Sequence, residues 1–263
     1  MFNKPETIAT CLHALAVAFA LSLATAATAA TSKAPDAAQL KSVLAQIDQL
    51  RQPAAAAELQ IGISTLQDGR ELEADDYAIT SDGSGNALLL MQNRDKRGQK
   101  ILSTREGIWM YFPKTRRPLR LTPVQQLQGN ASVGDVLRSR WSEEYRIAAI
   151  GAEPLQVEGR NCYRITLEAA QEEATYRRIE LYLTEGRLEP LKAELYTFGG
   201  KLLKTVLYGE AAQIGPYRLI RSTRILSMLD SKNGKETLYQ IKAAKTVKVE
   251  RDAFTLHALE VGQ

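Results

Sequence analysis

Apolar and polar residues alternate along Tyr176–Thr184, a stretch with the sequence YRRIELYLT. Because successive side chains of a β-strand point to opposite faces, Ile179, Leu181 and Leu183 would share one face of a sheet. Neighbouring segments repeat the alternation and add four residues to this apolar face: Tyr163, Ile165, Leu167 and Leu195. A sheet with one apolar and one polar face is typical of antiparallel β proteins.

Turn signals extend this pattern over most of the chain. From Ala57 onward, short apolar or alternating runs are separated by glycine-containing turns, of which Asn233-Gly234 is the strongest hairpin signal. The spacing leaves almost no room for crossover helices, which favours an antiparallel all-β domain. The apolar face is too large to remain open to water, so it must be covered. We predict a mainly β fold in which one large, curved antiparallel sheet of about 11 strands forms an incomplete barrel.

Two segments have helical character and are available to cover the sheet. Apolar residues recur at helical spacing between Asp36, a candidate N-cap, and Pro53, which ends the helix: Leu40, Val43, Leu44, Ile47 and Leu50. They predict an N-terminal amphipathic helix over residues 36–52. A shorter candidate runs from Ser132 to about Arg140 and would form a helical lid. The space between a curved sheet and such helices is a natural pocket of lipid size.

The first residues of the chain have the features of a cleaved export signal. Lys4 supplies a positive start, Leu12–Leu23 is an apolar run, and Ala27-Thr28-Ala29 is a small-residue cleavage site. The apolar run is too short to span a membrane comfortably. The mature protein is therefore expected in the periplasm, without a transmembrane segment. The predicted organisation is a signal peptide over 1–29, a linker and amphipathic helix over 30–56, and one domain over 57–263 that includes the helix.

The mature chain has few residues suited to nucleophilic or metal-based catalysis. Cys11 and His13 leave with the signal, so Cys162 and His257 are the remaining cysteine and histidine. One histidine excludes a multi-histidine metal site, and one cysteine excludes an internal disulfide. Adjacent carboxylates such as Asp75-Asp76 point to opposite faces of a strand, which does not suit a shared acid–base site. The sequence therefore favours a protein that is not an enzyme and uses no cofactor or metal.

The charge balance does not indicate nucleic-acid binding. The chain has 34 Lys and Arg residues against 30 Asp and Glu residues, a formal charge of +4. Such a small excess, spread over both signs, is not typical of a nucleic-acid-binding protein, although it is compatible with anionic lipid headgroups. We expect a monomer that binds no nucleic acid.

The run Ile108–Phe112 consists of five large apolar residues. On a strand, one face would carry Trp109 and Tyr111, and the other Met110 and Phe112. An element that is apolar on both faces must bury both of them or offer one to an apolar ligand. The run is therefore either an ordinary core strand or one wall of a cavity, and the face that points inward stays open.

A basic cluster follows this run directly after Pro113. Arg116, Arg117 and Arg120 either belong to a solvated loop or contact anionic headgroups or a partner at the rim of the cavity. The spacing of these residues does not decide between the two interpretations.

Two blocks of sequence resemble a known family. The first contains Trp109-x-Tyr111-x-Pro113 with the arginines that follow, then Gly129 and Gly134-Asp135; the second contains Arg177–Tyr182, Pro190–Tyr196 and Gly200–Thr205. Together they resemble the bacterial outer-membrane lipoprotein-sorting proteins, a branch of the LolA/LolB-like lipoprotein carriers. The resemblance extends from about residue 57 to the end of the chain. It implies an incomplete antiparallel barrel closed by helices, with an apolar concave face.

The same resemblance implies a periplasmic lipid carrier. Such a protein shields the acyl chains of a lipoprotein or lipid during transfer, with an inner-membrane transporter as donor and an outer-membrane acceptor. The expected cavity residues are those of the Ile108–Phe112 run and the apolar face: Trp109, Tyr111, Met110, Phe112, Tyr163, Ile165, Leu167, Ile179, Leu181, Leu183 and Leu195. The alternatives are a lipid-sensing or accessory periplasmic subunit of a membrane lipid exporter and, disfavoured by the residue content, an enzyme.

Overall fold

The computed structural model describes residues 34–122, 140–171, 174–228, 235–250 and 252–261. Within these ranges the chain forms a 14-stranded antiparallel sheet, a separate two-stranded hairpin, three α-helices and one short 3-10 helix. Three predicted features lie outside the described residues: the signal peptide over 1–29, most of the helical candidate that starts at Ser132, and the turn Asn233-Gly234.

Sixteen strands are present in the described residues. They are β1 (Ala57–Gln67), β2 (Arg70–Ser81), β3 (Ala87–Met91), β4 (Lys100–Thr104), β5 (Gly107–Tyr111), β6 (Pro118–Arg120), β7 (Tyr145–Ile150), β8 (Leu155–Val157), β9 (Arg160–Ala169), β10 (Arg178–Thr184), β11 (Pro190–Tyr196), β12 (Leu202–Tyr208), β13 (Ala211–Ile214), β14 (Tyr217–Ile220), β15 (Ser222–Ser227) and β16 (Lys235–Thr246). The helices are α1 (Ala37–Arg51), α2 (Trp141–Glu144) and α3 (Leu256–Val261), and the 3-10 helix spans Arg94–Lys96.

The sheet joins two groups of strands through its last strand. Its order is β6-β5-β4-β3-β2-β1-β16-β15-β12-β11-β10-β9-β7, and β8 pairs with β9 beside this path. Strand β16 lies between β1 and β15 and pairs with both. The edge strands β6 and β7 do not pair with each other in the described residues, so the sheet stays open. The predicted fold class is confirmed, although the sheet has 14 strands in place of the expected 11 or so. Two of these strands, β6 and β8, have only three residues each, too few to show a sequence pattern.

The predicted N-terminal helix is confirmed as α1. Its N-cap is Asp36, whose side chain accepts a hydrogen bond from the Gln39 backbone nitrogen at 2.8 Å. The helix ends at Arg51, two residues before Pro53. Its buried stripe packs on one face of the sheet, called the inner face below, through four residues: Leu40, Val43, Leu44 and Ile47. Burying this stripe stabilises the helix more than its sequence propensity does.

Strands β9, β10 and β11 supply the apolar surface under α1. Ile179 lies opposite Leu167 on β9 and Leu195 on β11, and this register places the alternating residues of all three strands on one face. The seven residues that the alternation predicts to share that face are all buried in one cluster with α1: Tyr163, Ile165, Leu167, Ile179, Leu181, Leu183 and Leu195. The prediction of a shared apolar face is therefore confirmed.

The hairpin β13–β14 also lies on the inner face. Ile214 and Leu219 pack against β1 and β16 in a second buried cluster. Gly215 forms the turn of the hairpin with a φ of 56°, and a Cβ atom there would lie 2.0 Å from the Ala244 carbonyl oxygen. Only glycine permits this close approach at a positive φ, so Gly215 fixes the hairpin against β16.

Helix α3 covers the opposite, outer face of the sheet at β4 and β5. Leu259 is buried there with Leu102 and Tyr111, and Trp109 and Phe254 pack around them. The buried Lys100 ammonium donates a hydrogen bond to the Leu259 carbonyl oxygen at 3.1 Å. Strands β4 and β5 are therefore apolar on both faces because both faces are covered.

Candidate functional site

A small cavity lies between the inner face and the two helices α1 and α2. Its volume is about 60 Å³. Most of its wall is formed by strands near the middle of the sheet, with α1 and α2 on the opposite side: Arg51, Trp141, Glu144, Tyr145, Thr175, Tyr176, Leu195, Val206, Tyr208, Ile220, Thr223, Ile225, Tyr239 and Ile241. Polar groups are confined to a few positions in an otherwise apolar and aromatic wall, as in many ligand-binding pockets.

Helix α2 is held over this cavity by a single carboxylate of α1. Asp48 accepts hydrogen bonds from the backbone nitrogens of Trp141 at 3.0 Å and Ser142 at 2.9 Å. Its Oδ2 atom also accepts a hydrogen bond from the Ser142 hydroxyl at 2.6 Å. These bonds satisfy N–H groups that a helix start leaves without a partner within the helix, so Asp48 stabilises α2 from a distant part of the chain.

The environment of Asp48 opposes its charge. Burial raises the pKa of the Asp48 carboxyl above its ordinary value of 3.8, although the hydrogen bonds from Ser142 and the positive charge of Arg51 act in the opposite direction. The pKa rises because burial destabilises the charged carboxylate more than its hydrogen bonds and the Arg51 charge stabilise it. The contact between α1 and α2 therefore includes a carboxylate whose charged form is destabilised by burial.

Arg51 is the only cationic side chain among the residues that line this cavity in the described part of the chain. The Cζ atom of its guanidinium lies 4.1 Å from the centre of the Trp141 ring, a cation–π distance. Trp141 in turn meets Tyr208 edge to face, with ring centres 6.5 Å apart and planes at 77°. The Nη1 atom of Arg51 is buried and has no hydrogen-bond partner among the residues that the structure describes. Arg51, Trp141 and Tyr208 thus form a continuous set of contacts along the wall of the cavity.

The structure places the two faces of the Ile108–Phe112 run on different sides of the sheet. Trp109 and Tyr111 point to the outer face under α3, whereas Met110 packs on the inner face with Ile108 in the second cluster. Phe112 follows the strand and is half-buried. The expectation that Trp109 and Tyr111 line the cavity is therefore corrected, because α3 occupies the face to which they point. Met110 and Phe112 do not line it either.

The basic loop, Lys114–Arg117, leads into β6, whose Arg120 lies next to the outer face. The Arg120 guanidinium sits 5.7 Å from the Trp109 ring centre and donates a hydrogen bond to the Glu106 carbonyl oxygen at 2.5 Å. Arg116 and Arg117 are exposed. Arg120 therefore covers an aromatic side chain of the outer face, and the loop does not border the cavity.

Among the seven predicted residues of β9–β11, Leu195 lines the cavity. The other six lie in the core cluster that includes α1, so they support the cavity without forming its wall. Sequence reasoning did not single out the other residues of the wall, among them these from α2, β12, β15 and β16: Trp141, Glu144, Val206, Tyr208, Thr223, Ile225, Tyr239 and Ile241. The available signal was alternation within β12 and β15. Val206 lies two residues from Tyr208, and Ile225 lies two residues from Thr223, so both members of each pair point to the cavity side of the sheet.

The described residues contain no group of three or more potential metal ligands. Cys162 is a free, fully buried thiol, and burial raises its pKa, so it behaves as a small apolar residue. His257 is exposed on α3. None of the three helices in the described ranges combines the length and apolar character that crossing a membrane requires.

A protein-family model described as "Uncharacterized protein" matches residues 83–261, more than half of the chain. The chain belongs to this family. None of the curated proteins compared with the chain matches it. The family assignment therefore rests on this model, and solved structures provide the comparison of folds.

Several solved structures share the fold over most of their length. A LolA superfamily protein from Nitrosomonas europaea has a TM-score of 0.69 at 24% identity, covering 82% of this chain and 96% of that protein. A DUF1329 family protein from Desulfovibrio piger has a TM-score of 0.68 at 17% identity, covering 86% and 100%. A domain from Vibrio parahaemolyticus described as an outer membrane lipoprotein-sorting protein has a TM-score of 0.67 at 16% identity, covering 84% and 97%. The predicted resemblance is confirmed for the fold, which this chain shares with the LolA superfamily and lipoprotein-sorting structures.

Proposed function

We propose that this protein is a periplasmic lipid carrier, formed after removal of residues 1–29, that shields acyl chains of a lipoprotein or lipid. The cavity between the inner face, α1 and α2 is the observation that carries the proposal. Val206, Ile225 and Ile241 give it an apolar floor, and Arg51 of α1 and Trp141 of α2 line its opposite side. The LolA-like fold supports the same function.

The size of the cavity requires movement of its cover. About 60 Å³ is enough for a few water molecules, whereas pockets that enclose a lipid-sized ligand measure about 300–1,000 Å³. Uptake of an acyl chain therefore requires α2 to move away from the sheet. Because α2 has only four residues, its contacts with Asp48, Arg51 and Tyr208 set the cost of that opening.

The driving force for uptake is burial of the chain. Each CH₂ group removed from water contributes about 0.8 kcal/mol, so even a partly enclosed acyl chain gains several kcal/mol. Binding must stay weak enough for release, since the ligand has to pass from a donor in the inner membrane to an acceptor in the outer membrane. The exposed Arg116 and Arg117 are proposed to contact one of these partners or anionic headgroups.

Two adjacent residues of β15 provide the test. Thr223 lines the cavity, whereas Arg224 points to the outer side, where its guanidinium binds the Glu236 carboxylate at 2.6 Å. Thr223→Phe fills the cavity and should displace about two CH₂ groups of the ligand, which raises the Kd for a fluorescent fatty-acid probe about tenfold. Arg224→Phe adds the same ring outside the cavity and should leave the Kd within about twofold.

Both variants are checked for the wild-type circular dichroism spectrum before binding is measured. Equal affinity in a folded Thr223→Phe protein would place the binding site elsewhere. A wild-type protein that binds no member of a panel of fatty acids, phospholipids and lipopeptides would refute the carrier function itself.

A further inference from the structure

The basic loop before β6 lies beside a second basic turn, which leads into β4. A Cβ atom at Gly98 would lie 2.9 Å from the Pro113 Cγ atom, so the two turns are in contact. Strand pairing brings them together, because Lys100 at the start of β4 lies opposite Tyr111 at the end of β5. The five exposed cations of the two turns are called the basic corner below: Arg94, Arg97, Lys114, Arg116 and Arg117.

The cations of the basic corner are not neutralised within the protein. Among the residues that the structure describes, none of the five forms an ion pair, whereas their neighbour Lys96 binds the carboxylates of Glu73 at 2.9 Å and Asp75 at 2.5 Å. Asp95 is the one exposed carboxylate within the two turns. With Lys96 included, six cations thus face three carboxylates, which leaves a surplus of three positive charges. This local surplus is nearly as large as the formal charge of +4 of the whole chain.

Exposed apolar side chains lie next to these cations on a well-defined turn. Leu119, the middle residue of β6, is 52% exposed, and Pro113 is exposed where the two turns meet. The backbone nitrogens of Thr115 and Arg116 both donate hydrogen bonds to the Phe112 carbonyl oxygen at 3.1 Å, which closes the turn. Because the two turns touch, no groove for a shaped ligand separates them. Cations beside exposed apolar side chains, without a groove, fit a flat partner that is anionic at its surface and apolar beneath it.

We infer that the basic corner docks the protein onto a membrane surface that contains anionic phospholipids, with Leu119 entering the headgroup region. Lysine and arginine side chains close to such a surface are attracted to it without requiring a fixed arrangement of its charges. The inference rests on the proposed carrier function for its purpose, and it names the surface on which the cargo is loaded or delivered. None of the residues of the basic corner lines the cavity, so docking there leaves α2 free to move.

The experiment measures flotation of the purified protein with vesicles of phosphatidylcholine alone and of phosphatidylcholine mixed with phosphatidylglycerol. The wild type should float with the anionic vesicles and stay in solution with the neutral ones. Raising the salt from about 0.1 M to about 1 M shortens the Debye length from about 10 Å to about 3 Å and should release most of the protein. Arg116→Gln/Arg117→Gln should lower the partition coefficient about twentyfold, because each cation near an anionic surface contributes about fivefold.

A second double variant controls for net charge. Arg177→Gln/Lys201→Gln removes the same charge from exposed residues near β10 and β11, which several strands separate from the basic corner, and should leave the partition coefficient within about twofold. Leu119→Asn should weaken binding severalfold without changing its dependence on salt, because it removes an apolar contact and no charge. All variants are compared after their circular dichroism spectra match that of the wild type.

Three results would overturn the inference. Equal losses in the two double variants would mean that net charge alone attracts the protein. Equal flotation of the wild type with both kinds of vesicle would exclude a role for the anionic lipid, and flotation with neither would leave an acidic protein as the partner of the basic corner. A fluorescent fatty-acid probe, added without vesicles, tests the carrier function separately. Probe binding without flotation refutes the docking surface alone, whereas flotation without probe binding refutes the carrier function alone.

Discussion

The link between Asp48 and α2 predicts a specific loss of stability. Asp48→Ala removes three acceptor contacts: two with the backbone nitrogens of Trp141 and Ser142 and one with the Ser142 hydroxyl. It also removes the carboxylate that compensates part of the Arg51 charge. The start of α2 is then left without acceptors at a buried position, since Trp141 is 4% exposed.

The magnitude follows from these contacts. Replacing a helix-capping Asp by Ala costs about 0.5–2 kcal/mol, and each hydrogen bond to a charged group contributes about 1.5–3 kcal/mol before other terms are subtracted. Relief of the desolvation that raises the pKa of Asp48 offsets part of this loss. We expect the free energy of unfolding to fall by about 2 kcal/mol, toward the upper end of the capping range.

The assay is a urea titration followed by far-ultraviolet circular dichroism. With an m-value of about 2 kcal/mol per molar urea, the transition midpoint should fall by about 1 M. Asp36→Ala is the matched control, because Asp36 caps α1 through one exposed hydrogen bond and should cost about 1 kcal/mol or less. A smaller loss for Asp48→Ala than for Asp36→Ala would show that the contact does not hold α2 in place.

Two further outcomes are expected. Because burial raises the pKa of Asp48 above 3.8, the wild type should gain stability relative to Asp48→Asn as the pH falls through the raised pKa, with the full gain below 3.8. Hydrogen bonds outweigh burial at Asp82 and lower its pKa, so the wild type should instead lose stability relative to Asp82→Asn as the pH falls. Urea titrations between about pH 3 and 7 measure both differences in stability. Parallel pH profiles for the two variants would contradict the opposite pKa shifts of Asp48 and Asp82. Gly215→Ala should destabilise the protein by several kcal/mol for two reasons: the new Cβ would lie 2.0 Å from a carbonyl oxygen, and alanine would have to adopt a positive φ. The control is Gly186→Ala, because Gly186 has a positive φ but an added Cβ there would have no atom within 4 Å. It should lower the free energy of unfolding by about 1–2 kcal/mol, as measured by thermal unfolding. Equal losses of stability in the two variants would show that the contact of the hairpin with β16 is unimportant.

The repeated elements were predictable from sequence because each carries a local signal. Alternation in β9, β10 and β11 follows from burial of one face, and the spacing of apolar residues in α1 follows from the helical repeat. The cap at Asp36 and the stop at Pro53 also act locally. These parts of the fold depend on neighbours within a few residues, so the pattern alone was sufficient.

The location of the cavity depends on contacts between distant segments. Trp109 and Met110 are both apolar, so alternation separates their faces without indicating which one α3 covers. In the sequence, Arg51 looks like any cation in the last turn of a helix, because Trp141, the ring that it contacts, lies far along the chain. Asp48 gives no sequence signal for its role because its partners are about ninety residues away. The elements were predictable, whereas the contacts that form the site were not.

The central position of β16 has a consequence for the order of folding. Among the described strands, β1–β6 form one hydrogen-bonded group and β7–β12 with β15 form the other, and β16 is the strand that joins them. The most sequence-distant pairing in the sheet, Ala57 with Thr246, is therefore the one that unites its halves. Until β16 is in place, β1 and β15 each expose an unpaired edge that invites intermolecular pairing. The chain should consequently fold slowly and late, once its C-terminal strand is available, and should depend on protection from aggregation until then.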